Sequence, residues 1–266
     1  MPGHISYEAQ DAAGGAGVAR LTLANPGKHN AIDIAMWREL RAIFERLQAL
    51  AAEDAPRVVI VCGDGGQFAS GGDIAEFAEF RFDEARLRDF HEHVVAPALG
   101  AMLGCDIPLL AQIGGACIGG GLEIAACCDI RIAAESARFG APIAKLGFPM
   151  APGELQLLCR VAPASLLREM LLEARLLDAA RALQCGLVHA VVPDDLLAQA
   201  AVQRAQAIAA LSAQAARINK RTLRQIAAGG PGDAERRAHY AYADSAEHRE
   251  GIRAFLEKRT PRFDRG

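Results

Sequence analysis

The sequence predicts an α/β protein, and three observations carry that expectation. Short apolar runs, "RVVIVCG" (57–63), "IPLLAQIGG" (107–115) and "DIRIAAE" (129–135), read as buried strands. Longer segments with apolar residues at helical spacing lie between them. Two of the strands run into glycine-rich loops that open helices, "DGGQFASGGDIAEFAEF" (64–80) and "GGGLEIAAC" (119–127).

In chain order, "VARLTLAN" (18–25) reads as a first strand that ends in the turn-like "NPGKHN". The segment 31–54 has apolar positions at helical spacing and stops before Pro56. "DEARLRDFHEHVVAPALGAML" (83–103) is predicted helical, and "FGAPIAKLGFPMAPG" (139–153) is a loop without clear period. Beyond it the chain turns mostly helical, with "LVHAVVP" (187–193) as one short exception. Segments 57–77 and 108–126 echo each other: strand, small-residue turn, paired glycines, helix. Glycines let backbone approach a ligand closely, and each helix start leaves amides without partners. Two such sources facing one point make an oxyanion hole.

The 266 residues carry a formal net charge of −3 and are 52% hydrophobic. That supports one large core with a helical appendage, and argues against a nucleic-acid groove. The seven cysteines show neither C-x-x-C nor zinc spacing, and read as reduced core thiols of a cytoplasmic protein. The start, "MPGHISYEAQDAAGG", lacks the pattern of a signal peptide. No apolar run reaches membrane length.

The stretch "GGACIGGGLEIAACCDI" (114–130) is the hardest to explain as structure alone, because three glycines and an acid sit inside an apolar helix start. Tight turns before helices are the ordinary use of such glycines, and a first-turn Glu123 is ordinarily stabilised by the helix dipole. Taken with "HNAIDIAMWREL", "FASGGDIAEF", "ARFGAPIAKLG" and "EHREGIRAFLEKRTPRF", however, the stretch resembles the crotonase superfamily, the enoyl-CoA hydratase/isomerase family, in order and spacing.

The resemblance implies a ClpP-like right-handed spiral of ββα units. Residues 1–195 would form the core that binds acyl-CoA, and 196–266 a helical region packing on neighbouring subunits. It also implies a homotrimer or a dimer of trimers, with an acyl-CoA thioester as partner. No nucleic acid, membrane, metal or separate cofactor is implied, coenzyme A being part of the substrate.

By the same resemblance, the amides of Gly72 and Gly120 polarise the thioester carbonyl, with glycines there leaving room for it. One such donor is typically worth ~3 kcal/mol in the transition state. Glu123, one helical turn past Gly120, matches the family's first catalytic glutamate. The second glutamate of hydratases follows the proline of an F-G-x-P motif, and here that position is Ile143. Glu154, in "FPMAPGELQL", is a replacement candidate, with a plain helix-start acid as the alternative. Coenzyme A is expected along the backbone of Ala69, Ser70, Gly71, Asp73 and Ile74, beside Gly119. Lys28 would lie near the adenine nucleotide, and Phe255 and Lys258 would reach over from the C-terminal region. Asp73 and Asp129 also read as backbone-bonding structural acids. His91 and His93 read as a solvated face outside the site.

The reaction implied is hydration of a 2-enoyl-CoA. Isomerisation, decarboxylation and thioester hydrolysis share the same enolate and suit a single acid. A peptidase using Ser70 needs a positioned Ser–His–acid set. An RNA binder needs a basic, aromatic-interleaved surface.

Overall fold

The structure is a computed structural model that describes residues 2–10 and 17–263. Met1 and positions 11–16, part of the opening stretch read above for a leader, lie outside the described residues, as do positions 264–266.

The predicted strands form the spine. Strands β1 (His4–Gln10), β2 (Val18–Ala24), β3 (Val58–Gly63), β4 (Leu109–Ile113), β6 (Ile130–Ala134) and β9 (Ala190–Val192) make one sheet in the order β1-β2-β3-β4-β6-β9. β1 pairs antiparallel with β2, and every later neighbour is parallel. Sequence reading passed over β1, whose alternation of Ile5 with polar neighbours marks an edge strand with one buried face. A smaller sheet joins β5 (Ala116–Ile118), β7 (Arg138–Gly140) and β8 (Leu177–Asp178), all too short to register as periodic runs.

Helices close each turn. α1 (Ile34–Ala49) starts on Asp33, whose carboxylate accepts the Met36 N–H at 2.8 Å. It buries Met36, Trp37, Leu40, Ile43, Phe44 and Leu47 along one face. α2 (Ile74–Phe80) follows β3, and α5 (Gly120–Cys127) follows β5. The predicted helix 83–103 is divided into α3 (Glu84–Asp89), a π-helical turn (Phe90–Val95) and α4 (Ala96–Gly104). The predicted loop 139–153 holds the end of β7 and a 3₁₀ turn (Ile143–Leu146) before α6 (Pro152–Leu158).

The repeating unit is now visible. A strand of the large sheet is followed by a short segment beside the small sheet, then by a helix. Ala69 bridges Cys117 in parallel, and Cys117 of β5 pairs with Phe139 of β7, so successive turns stack in register. Parallel neighbours force these crossovers. Mixed α/β composition, stacked units and a helical C-terminal region agree with the fold class expected from the sequence.

β3 divides the core by simple alternation. Val59 and Val61 face one apolar cluster with α1, while Val58 and Ile60 face a second. Leu197, Ala201, Ala205 and Ala209 of α9 (Leu197–Ala209) cover that second cluster, small residues letting the helix sit close to the sheet. Between α6 and α9 lie α7 (Ala164–Leu172) and α8 (Ala179–Gln184); α10 (Ala213–Ala227), α11 (Asp233–His239) and α12 (Ala246–Leu256) complete the chain. α10 is tied to the core by charge: Arg224 and Arg221 both reach buried Asp106, at 2.6 and 2.5 Å. Five of the cysteines are buried as expected, whereas Cys159 is exposed and Cys185 partly so.

Candidate active site

The spiral brings corresponding points of successive turns to one place. Gly72 follows Ala69, Gly120 follows β5, and Ile143 follows β7, and all three line one cleft. Its empty space is about 880 Å³, open mouth included.

The two glycine amides are available. Gly71 carries φ 108° and Gly119 φ 49°, left-handed backbone that favours glycine. Gly72 and Gly120 directly follow these kinks and line the cleft, and among the described residues no carbonyl takes up either N–H. α5 opens at Gly120, so its positive end adds to the same point. The steric reason for glycine differs from the expected one. A Cβ on Gly120 would lie 2.9 Å from the Trp37 ring, and one on Gly121 2.6 Å from the Ala69 carbonyl oxygen. Close packing of the loops excludes side chains there before any thioester does.

Glu123 lines the cleft from the first turn of α5 and is 5% exposed. Burial holds its carboxyl well above the ordinary 4.5, and the charge of Glu154 pushes it further. Glu154 lines the same cleft from the start of α6, 7% exposed. Two acids far apart in sequence thus converge on one cleft.

His91 corrects the sequence reading. It is not on a solvated face: it lines the cleft, and its Nδ1 lies 2.5 Å from Glu154 Oε1. His93 does face solvent, 3.0 Å from Asp89. The cause is the π turn, which buries Phe90 and Val95 five residues apart and so breaks the α-helical period. Arg81, just past α2, was also missed. Its guanidinium packs 3.9 Å from the Phe77 ring centre and 3.8 Å from that of Phe148, at the cleft wall. Burial lowers its pKa, which the charge of Glu154 only partly offsets. Phe77 and Phe80 are close to it in sequence, but nothing local tied Phe148 to Arg81.

Of the expected coenzyme A contacts, Ser70, Gly71, Ile74 and Gly119 line the cleft, as does Ile143 at the missing second-glutamate position. Ala69 does not offer its backbone: its N–H donates to Ala116 and its carbonyl accepts from Ile118. Asp73 caps α2 by accepting the Ala75 N–H and pairs with Lys28 Nζ at 2.6 Å. Neither Asp73 nor Lys28 is at the cleft wall. Asp129 accepts the Leu109 N–H at 2.7 Å, the structural use expected of it. Phe255 is 81% exposed on α12, and neither it nor Lys258 reaches the cleft within one chain. The Ser70 hydroxyl donates to the Lys28 carbonyl at 2.9 Å, so the serine nucleophile reading lacks its histidine.

Comparison with known proteins agrees with this geometry. The family described as enoyl-CoA hydratase/isomerase matches residues 13–266. The chain belongs to the enoyl-CoA hydratase/isomerase family. Among similar members, the probable enoyl-CoA hydratase echA8 of Mycobacterium bovis is 34% identical over 252 residues, 92% of this chain and 94% of that one. The 2,3-dehydroadipyl-CoA hydratase of Escherichia coli is 36% identical over 250 residues, with the same coverage. The crystal structure of an enoyl-CoA hydratase/carnithine racemase from Magnetospirillum magneticum superposes with a TM-score of 0.88 at 37% identity, covering 94% of this chain and 93% of that one. Enoyl-CoA hydratase/isomerase family members act on acyl-CoA thioesters. Among the described residues no helix is long and apolar enough to cross a membrane.

Proposed function

We propose that this protein hydrates 2-enoyl-CoA thioesters, with Glu123 and Glu154 as the two acids and Gly72 and Gly120 as the oxyanion donors. The observation that carries this reading is that both acids and both amides line one cleft, although the usual second-glutamate position is Ile143. Names of similar members as hydratases support the same direction.

In this mechanism the thioester oxygen accepts the two glycine N–H groups, which draws electron density from the double bond. The Glu154 carboxylate, held by His91, takes a proton from water, and the oxygen bonds to Cβ. The electron pair of the double bond moves onto Cα and the carbonyl. Glu123, whose carboxyl is held above its ordinary range by burial and by the charge of Glu154, delivers its proton to Cα. A proton then passes from Glu154 to Glu123 through solvent, restoring both groups.

A second reading keeps Glu123 as a lone proton shuttle for double-bond isomerisation. Apolar Ile143 favours it, since that side chain holds no water. In either reading coenzyme A enters with the substrate and no separate cofactor takes part. Assembly as a trimer or a dimer of trimers is part of the proposal, supported by exposed Leu223, Ile226, Ile252, Phe255 and Leu256 on the C-terminal helices. Free thiols at all seven cysteines fit a cytoplasmic setting.

The test follows loss of enoyl-thioester absorbance on mixing protein with crotonyl-CoA, comparing wild type, Glu123→Gln and Glu154→Gln. Turnover lost in both variants supports the hydratase. Coenzyme A thioesters that bind without turning over sink it and leave the isomerase.

A further inference from the structure

The cleft has a charged group that the proposed chemistry does not use. Arg81 lies at the cleft wall, its guanidinium packed against Phe77 and Phe148. Two ring faces at under 4 Å satisfy a cation's demand for negative potential but offer no lone pairs in the guanidinium plane. The Arg81 Nε–H is buried and, among the described residues, donates to no acceptor. Among the described residues no carboxylate lies within ion-pair distance of Arg81, and Glu154 spends its short contact on His91. A half-buried cation with no ion pair among the described residues is open to an anion brought by a ligand.

The surroundings indicate what completes it. Phe90, Val95, Leu146 and Met150 also line this cleft, so an acyl chain entering it meets apolar walls and then a planar, fork-shaped donor. A guanidinium is suited to two-point recognition of a carboxylate. A neutral alkyl tail laid against the cleft-lining Arg81 would displace water from the guanidinium without replacing its hydrogen bonds, which penalises the wrong ligand as well as favouring the right one.

We propose that Arg81 is a specificity residue that selects thioesters whose acyl chain ends in a carboxylate, the class of coenzyme A monothioesters of dicarboxylic acids. The inference rests on the acyl-thioester reading above but not on which reaction follows. It also gives Phe77 and Phe148 a role, as the platform that holds the guanidinium in place without neutralising it.

Binding of saturated thioesters tests this without turnover. Isothermal titration calorimetry would compare succinyl-, glutaryl- and adipyl-CoA with butanoyl-, pentanoyl- and hexanoyl-CoA. Wild type is expected to favour the carboxylated member of at least one length-matched pair by on the order of tenfold to a hundredfold. In Arg81→Met the ratio should collapse toward one, with Arg81→Lys between. Wild type that binds neutral tails equally well or better at every length overturns the proposal. So does Arg81→Met that keeps the preference. The wild-type ratio needs no variant, so a misfolded mutant would not rescue the idea. Discrimination without crotonyl-CoA hydration would defeat the hydratase reading and leave this inference standing.

Discussion

His91 Nδ1 and Glu154 Oε1 stand 2.5 Å apart across 63 residues of sequence, and both side chains are largely buried. A contact that short needs one proton between nitrogen and oxygen, so the histidine fixes how the carboxyl is presented to the cleft. The arrangement orients an acid at a position where the family motif does not supply one.

Removing the acid and removing its support should therefore differ in kind. Glu154→Gln is expected to lower kcat for crotonyl-CoA by ~10²–10⁴, the usual worth of a positioned acid or base. His91→Ala should cost roughly tenfold to a hundredfold and displace a limb of the pH–rate profile, with His91→Gln recovering part of the loss. An unchanged profile in His91→Ala would reduce His91 to packing.

If the second acid has only moved, it can be moved back. Ile143 lines the same cleft from the start of its 3₁₀ turn. In a Glu154→Gln background, Ile143→Glu is expected to regain at least about tenfold in kcat. No recovery, in a variant that still binds thioester, would mean the cleft is shaped around Glu154 and not around a generic second carboxyl.

Glycine substitutions separate packing from conformation. In α5, Gly121→Ala gains helix propensity of up to about 1 kcal/mol, but its Cβ would sit 2.6 Å from a backbone oxygen and 2.8 Å from the Ala69 Cβ. The clash wins, and a loss of about 1–3 kcal/mol is expected. Gly100→Ala in α4 meets nothing within 4 Å and should raise the melting temperature instead. Thermal denaturation of the pair checks both signs.

Stability should also depend on pH through Glu123. Its folded pKa lies above the ordinary 4.5, so the folded chain holds a proton that the unfolded chain has released. Its contribution is fully present below that ordinary value and is lost as pH rises toward the folded one. Glu123→Gln removes this titration, and its melting temperature should pull ahead of wild type as pH rises from about 4 to about 8. Parallel curves across that range would count against a buried, proton-holding Glu123.

Much of this was legible locally. The apolar runs at 58–63, 109–113 and 130–134 became strands within a residue or two, because period and burial are properties of a few consecutive side chains. The glycine pairs and Glu123 were legible for a related reason: kinked backbone, helix start and acid all lie within a single turn of chain. Strands β5, β7 and β8 were not, since two or three residues carry no period and exist only because neighbouring turns offer them partners. His91 was misread because a π turn shifts its face away from the α-helical count.

The sequence by itself determined the alternation of strand and helix, the paired glycine loops and the identity of the acid beside them. Only the tertiary structure decided that Glu154 meets His91, that both share a cleft with Glu123, and that Arg81 stands over two phenyl rings with a donor unused. Local patterns record which face of a segment is buried. They do not record which distant segment it is buried against, and that is set by how the turns of the spiral stack.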